Sequence, residues 1–307
     1  MTEEPGRAEA GSAVSSGALE VFHPLIRQWF LSSVGTPTEV QARAWPVIAR
    51  GAHALVSAPT GTGKTLAAFL WGINQLAVGA LQTGKVRILY VSPLKALNND
   101  IQRNLLGPLA ALETVFRKAG QSLPRIRVMT RSGDTPSGDR RRMLRTPPEI
   151  LITTPESLNL ILSSPNSRLM LDGVAAVILD EIHAVAGSKR GTHLVTAVDR
   201  LVRLAGEFQR IALSATVKPL SVIADLVGGY TVAEPGKRGG AGQGGRGPVY
   251  RKRPVEVVHC PMTKTYELRV EYPAADASGA APPAGPGEEP VFDALARECR
   301  RIIAGSR

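Results

Sequence analysis

The stretch Ala58-Pro59-Thr60-Gly61-Thr62-Gly63-Lys64-Thr65 stands between the apolar run Ala54-Leu55-Val56 and the helix-like run Leu66 to Leu70. A short buried strand, a glycine-containing turn and a helix, in that order, aim backbone N–H groups and a helix N-terminus at one point. The partial positive charge there favours a phosphate. In such a loop Lys64 reaches the β- and γ-phosphates and the Thr65 hydroxyl sits on Mg²⁺. The strict pattern G-x-x-x-x-G-K-[ST] asks for glycine where this chain has Ala58, so one pattern position departs. Alanine adopts most right-handed turn geometries, and the close approach of backbone to phosphate falls on Gly61 and Gly63, which are present. An ordinary glycine turn is the competing reading. Gly-Lys-Thr at the right place in a strand-turn-helix context weighs against it.

Alternation of apolar strands with helix-period segments continues along the chain. Strands are expected at Arg87 to Ser92, Ile126 to Thr130, Ile150 to Thr153, Ala175 to Leu179 and Arg210 to Leu213, and helices over Glu39 to Arg50 and about Lys95 to Lys118. This is the rhythm of an α/β fold, a parallel sheet with helices on both faces. In such sheets ligands sit beyond the carboxyl ends of the strands.

A length of 307 residues with 43% hydrophobic content supports a real core. No run of eighteen or more apolar residues occurs, and the first twenty residues carry Glu3, Glu4, Arg7 and Glu9, so a cytoplasmic protein with a frayed N-terminus over 1–20 and no membrane partner is expected. Cys260 and Cys299 lack the spacing of a zinc site or a disulfide framework. The net charge of +11 favours a polyanionic partner such as nucleic acid.

Asp180-Glu181-Ile182-His183 directly follows an apolar strand. Packing explains two adjacent carboxylates at a strand end poorly, because burying them unpaired is costly. An Asp that holds Mg²⁺ and a Glu that deprotonates the attacking water explain both. His183 either couples the nucleotide state to a neighbouring loop or is a polar turn residue. Ser214-Ala215-Thr216 presents two hydroxyls after the next strand. Ser92-Pro93-Leu94-Lys95 and Thr153-Thr154-Pro155-Glu156-Ser157 each follow a strand and open a helix; their hydroxyls, N–H groups and Lys95 suit the phosphates of a nucleic acid, and helix capping is a compatible alternative. Arg131-Ser132-Gly133-Asp134-Thr135 is a further strand-end loop, followed by Arg140, Arg141, Arg142 and Arg145, which line a polyanion path or form a solvated face. Gln41, about twenty residues before the phosphate loop, either pairs with an adenine edge or is a solvated glutamine.

Together these motifs, in this order, resemble a superfamily 2 helicase of the DEAD/DEAH type, and most closely the large helicase-related (Lhr-like) family. The resemblance rests on Pro37 to Gln41, Ala58 to Thr65, Ser92 to Leu97, Arg131 to Pro136, Thr153 to Leu158, Asp180 to Ala184 with Gly187 to Gly191 behind it, and Leu213 to Val217, and covers Phe22 to Gly228. Such helicases share alanine at position 58. The resemblance implies a RecA-like fold with a P-loop, with ATP and Mg²⁺ as cofactors. Gln41 would read adenine; Ala58, Thr60, Gly61, Thr62, Gly63, Lys64 and Thr65 would hold phosphate; Thr65 and Asp180 the metal; and Glu181 would be the general base, with Asp180 and Lys64 completing the catalytic set. Ser92, Pro93, Lys95, Gly133, Thr154 and Pro155 would lie along single-stranded DNA, RNA or an RNA–DNA hybrid, and His183, Ser214 and Thr216 would couple hydrolysis to strand movement. Family members act mostly on DNA or hybrids, in repair.

The resemblance also implies a second RecA-like domain with an arginine finger, and nothing after Gly228 matches its motif. The expected layout is a first domain over 21–230, a flexible Gly/Arg-rich linker over 231–253, and over 254–307 the start of a truncated second domain with a Pro/Ala/Gly-rich insert at 273–290 and a helix from Val291 to Ile303. On its own this first domain is expected to bind ATP weakly and hydrolyse it slowly. The alternative is a nucleic-acid- or partner-binding module without unwinding. A P-loop kinase fits less well, since no small-substrate lid is evident.

Overall fold

The computed structural model describes residues 17–93, 95–216, 218–233, 249–261, 295 and 299–301, with the backbone alone at 95–100, 103 and 233. The chain divides into two compact units, Met1–Met262 and Thr263–Arg307.

In the first unit one sheet contains seven strands, β1 (His53–Ser57), β2 (Ile88–Val91), β3 (Val128–Arg131), β4 (Ile150–Thr153), β5 (Ala176–Leu179), β6 (Gln209–Ser214) and β9 (Val255–His259). Their order is β3-β4-β2-β5-β6-β1-β9, and every neighbouring pair is parallel. A separate antiparallel ribbon pairs β7 (Tyr230–Ala233) with β8 (Val249–Lys252). The helices are α1 (Pro24–Ser33), α2 (Glu39–Ala49), α3 (Lys64–Ala77), α4 (Lys95–Lys118), α5 (Ser137–Arg145), α6 (Pro155–Ser163), α7 (Pro165–Arg168), α8 (Lys189–Ala205) and α9 (Leu220–Gly228).

Continuous apolar strands make sense because both faces of the sheet are covered. Ala54, Val56, Ile88, Tyr90, Ile150, Ile152 and Ile178 point into a core shared with α1 to α4. Their sequence neighbours Leu55, Leu89, Val91, Leu151, Val177 and Leu179 point into a second core with α6, α8 and α9. A strand with two buried faces has no solvent face to carry the polar half of an alternating pattern. The expected α/β fold is therefore present, with the expected strands shifted by a residue or two at their ends.

Two boundaries change. Residues 17–20 form a helical turn with Ala18 and Leu19 buried, so the ordered part begins before 21. Strand β9, expected to open a second domain, is hydrogen-bonded to β1 with Leu55 opposite Val257, and β7 and β8 occupy both ends of the expected linker. The edge of β1 supplies free N–H and C=O groups, and pairing β9 there satisfies them. Of the helix expected over 291–303, positions 295 and 299–301 are helical, and the rest lies outside the described residues, as does 273–290.

Registration of β3, β4 and β2 depends on Glu149, just before β4. Its wholly buried carboxylate accepts from Gly84 N at 2.8 Å, Arg127 N at 2.7 Å, Arg127 Nη2 at 2.7 Å and Arg127 Nε at 3.1 Å. Burial raises this pKa, but the Arg127 guanidinium and the two N–H groups outweigh it, and the carboxyl lies below its ordinary value. A depressed folded-state pKa gives stability that is present above the unfolded value of about 4.3 and is lost as pH falls through the folded value. Glu149→Gln is expected to lower stability at neutral pH by about 2 kcal/mol and to flatten the acid-side decline in thermal midpoint. Calorimetry across pH tests this, and an unchanged midpoint would contradict it.

Candidate nucleotide and nucleic-acid site

The loop between β1 and α3 turns through Gly61 at φ 77° and Gly63 at φ 83°, left-handed values that a side chain would strain. A Cβ on Gly63 would also stand 2.5 Å from Gln41 Nε2. Lys64 opens α3, and its buried ammonium donates to Ala58 O at 2.6 Å and Pro59 O at 2.7 Å. Burial pushes Lys64 below the ordinary lysine value, opposed by the Glu181 and Asp180 carboxylates. Thr62 Oγ1 donates to Pro59 O at 2.8 Å. Thr60 and Gly61 are exposed, Ala58 is buried, and Thr65 is half-buried.

Helix α2 braces this loop. Thr38 and Gln41 form a reciprocal capping box, Thr38 Oγ1 donates to Thr62 O at 2.9 Å, and Gln41 Nε2 donates to Gly63 O at 3.4 Å. Gln41 is buried, which overturns the solvated reading. Its amide uses one acceptor site and one N–H in these contacts, so one of each remains.

Strand β5 delivers Asp180 and Glu181 to the other wall of the same cavity, of about 510 Å³, which Thr60, Gly61, Gly63, Lys64 and Thr65 also line. Asp180 is buried; its Oδ2 accepts from the Tyr90 hydroxyl and its Oδ1 from Glu181 N at 2.9 Å. Burial pushes Asp180 above the usual carboxylate range, opposed by those two donors, by Lys64 and by His183. Burial and Asp180 push the Tyr90 phenol far up, so it stays a donor, and its ring stacks on Phe69 with centroids 5.1 Å apart. Tyr90 was missed in the sequence because it sits within an apolar strand; the one signal was a phenol that needs a buried partner. Glu181, at φ 46°, is the non-glycine residue with positive φ among the described residues. Backbone held in that region gathers at functional sites.

Behind the carboxylates the strand ends are tied together. Ala58 N donates to Ser214 O at 3.1 Å, while Ser57 Oγ and Ser214 Oγ donate to Ala215 O at 3.3 and 2.9 Å. Ala215 N reaches His183 Nδ1 at 3.3 Å, and Glu181 Oε2 is also 3.3 Å from that nitrogen. One ring nitrogen serves one of these partners at a time: unprotonated it accepts from Ala215 N–H, protonated it donates to Glu181. Ser214 is buried and Thr216 exposed. The Gly187 to Gly191 stretch caps α8 through Ser188, and a Cβ on Gly191 would meet Val185 O at 2.1 Å.

The remaining expected residues lie at the ends of β2, β3 and β4, which are neighbours in the sheet. Ser92 and Pro93 are buried, and Ser92 N donates to Thr153 O at 3.1 Å. Thr154 caps α6 by accepting from Ser157 N, with buried Pro155 at the first helical position, so the capping alternative is realised. The Lys95 side chain lies outside the described residues. Gly133 is exposed, and its carbonyl accepts from Arg140 Nη2 at 2.7 Å. Glu156, after Thr154-Pro155, pairs with Arg190 Nε at 2.5 Å, which ties α6 to α8. No helix among the described residues is long and apolar enough to cross a membrane.

Fold and strand-end motifs together define a RecA-like domain with a phosphate-binding loop. The DEAD/DEAH box helicase family model matches residues 38–223, more than half of the chain, and the chain belongs to that family. It is 44% identical over 265 residues to the Lhr helicase/uracil glycosylase of Escherichia coli (strain K12), covering 84% of this chain and 16% of that protein. It is 48% identical over 215 residues to ATP-dependent helicase Lhr-Core protein 2 of Thermococcus barophilus (strain DSM 11836 / MP), covering 69% and 25%. Among solved structures it matches the Mycobacterium smegmatis helicase Lhr bound to ssDNA and AMP-PNP, with a TM-score of 0.75 and 39% identity, covering 94% of this chain and 33% of that one. The chain thus spans between 16% and 33% of the length of these relatives.

Tyr90→Phe keeps the ring against Phe69 and removes the donor to Asp180. A loss of about 1–2 kcal/mol of unfolding free energy is expected. In the Asp180→Asn background the same substitution should cost clearly less, because the pair acts as one unit. Strictly additive losses by denaturant unfolding would contradict the pairing.

Proposed function

We propose that this chain is the N-terminal ATP- and strand-binding domain of an Lhr-like ATP-dependent nucleic acid helicase. The observation that carries this reading is the shared cavity: the phosphate loop with Lys64 and Thr65 forms one wall, and Asp180 and Glu181 form the other.

ATP binds with its triphosphate along the N–H groups of Gly61 to Thr65, held by the α3 N-terminus. Lys64 exchanges its two carbonyl partners for β- and γ-phosphate oxygens, which suits an ammonium that burial already strains. Gln41 uses its spare donor and acceptor on the adenine edge. Thr65 and Asp180 bring hard oxygen donors to one place, and a buried carboxylate above its usual range gains from a cation, so the residues fit Mg²⁺. When bound, the ion neutralises charge on the phosphates. Glu181 orients the attacking water and takes its proton. Ser92, Pro93, Lys95, Gly133, Thr154 and Pro155 follow the strand backbone, which implies little sequence preference. His183, whose Nδ1 serves either Ala215 N–H or Glu181, links the hydrolytic centre to Ser214 and Thr216. An arginine supplied by a second RecA-like domain would complete the site.

A fluorescent ATP analogue should bind the chain and its Glu181→Gln variant alike, and Lys64→Ala should weaken binding by about tenfold or more. In a protein that carries both RecA-like domains, strand-stimulated turnover should fall by about a hundredfold or more in Glu181→Gln. Binding indifferent to Lys64→Ala, or turnover that survives Glu181→Gln, would overturn the reading.

A further inference from the structure

Helices α6 and α8 start beside different parts of the proposed site. α6 opens directly after Thr154, one of the residues expected along the strand, and α8 opens after the stretch that follows Asp180 and Glu181. Each helix start is built onto its own loop. On α6, Thr154 Oγ1 accepts from Ser157 N at 3.3 Å, and the buried Asn159 amide donates to Pro155 O at 3.0 Å. On α8, Ser188 Oγ donates to Val185 O at 2.7 Å and accepts from Gly191 N at 3.2 Å. Gly191 lies so close to the same carbonyl that a Cβ would meet it at 2.1 Å.

Side chains join one block to the other. Glu156 and Arg190 stand in the first turns of their helices, and Arg190 Nε and Nη2 donate to the two Glu156 carboxylate oxygens at 2.5 and 3.1 Å. One turn further on, Asn159 Nδ2 is 3.2 Å from His193 Nδ1, and Arg200 Nη1 donates to Asn159 Oδ1 at 3.3 Å. Glu156 to Arg190 and Asn159 to His193 are both separations of 34 residues, so the two helices run side by side in one register. Beneath this polar seam, Leu158, Ile161, Leu194 and Ala197 of the same helices lie in one apolar core.

Stability does not account for the seam. The Arg190 and Glu156 side chains are 39% and 51% exposed, and an ion pair that open to water adds little. A buried amide such as that of Asn159 is tolerated only while its partners are in place, so a slip of one helix along the other would leave it unpaired. Polar contacts of this kind fix register. We infer that the α6–α8 seam couples the two parts of the site: Glu156 and Arg190 are positioning residues that carry a displacement of the Thr154-Pro155 loop, when a strand occupies it, to the Asp180-Glu181 loop. Coupling of this sort needs packed elements with discrete arrangements, and a two-pronged pair is either seated or not. The inference rests on the nucleotide- and strand-binding reading above and adds a link separate from His183, Ser214 and Thr216.

The test is the affinity of a fluorescent, non-hydrolysable ATP analogue with Mg²⁺ for the intact chain, with and without saturating oligo(dT), at fixed ionic strength. Oligo(dT) should tighten the analogue on the parent by about fivefold or more. Glu156→Gln and Arg190→Gln should each bring that ratio close to one while the affinity without oligo(dT) stays at the parent's. The exchange Glu156→Arg/Arg190→Glu should return the ratio toward the parent's. Lys85→Gln, which breaks the exposed pair with Asp172, should leave it unchanged. A pair that merely stabilises would lower the thermal midpoint and leave the ratio intact. That outcome, an exchange that restores nothing, or a parent that binds both ligands without mutual effect would overturn the inference and leave the binding reading in place. A parent that binds neither ligand would overturn both.

Discussion

Every strand of the main sheet runs in the same direction, so each connection returns across a face and each strand delivers its last residue to one edge. A parallel sheet therefore cannot scatter its strand-end loops. Here they divide along that edge. β5, β6 and β1 are adjacent and end in Asp180-Glu181, Ser214-Ala215 and the phosphate loop; β3, β4 and β2 are adjacent and end in Arg131, Thr154 and Ser92. That the two groups of loops lie side by side follows from strand order alone.

The nucleotide half is cross-linked more tightly than its sequence motifs suggest. Ala58 N and Ser57 Oγ reach across to Ser214 O and Ala215 O, Ala215 N reaches His183, and Gln41 and Thr38 hold the loop from outside. Lys64 is the exception. Its buried ammonium rests on carbonyls of its own loop, a position it can leave only for something at least as negative. Tyr90 plays the opposite part, fixing Asp180 from within the sheet. A rigid frame around one exchangeable cation suits a site that must distinguish bound from empty.

Much of this could be read from the residues. The phosphate loop and the carboxylate pair stand out in the sequence because packing explains those residue types poorly, and helix α4 runs over the residues its pattern predicts. The place of strand β9 was not legible: Val255–His259 reads the same whether it opens a new sheet or closes the edge of an old one, since parallel pairing is decided by distant backbone. The Arg140 and Arg131 side chains have the same charge and stand nine residues apart, yet one holds a loop and the other lacks a partner among the described residues. Side-chain commitment of this kind depends on which carbonyls a fold turns toward a residue, and no local pattern encodes it. Gln41 likewise looked like a choice between solvent and ligand, whereas its capping box and its contact with Gly63 bury it.

The cavity between the phosphate loop and the β5 carboxylates is proposed as a triphosphate site in which Lys64 exchanges its two carbonyl partners for phosphate oxygens. An experimental structure of the chain with a non-hydrolysable ATP analogue and Mg²⁺ tests this most directly. The account predicts Lys64 Nζ on phosphate oxygens and no longer on Ala58 O and Pro59 O, with Thr65 and Asp180 facing the ion. A triphosphate bound elsewhere, or bound here with Lys64 still on its carbonyls, would contradict it.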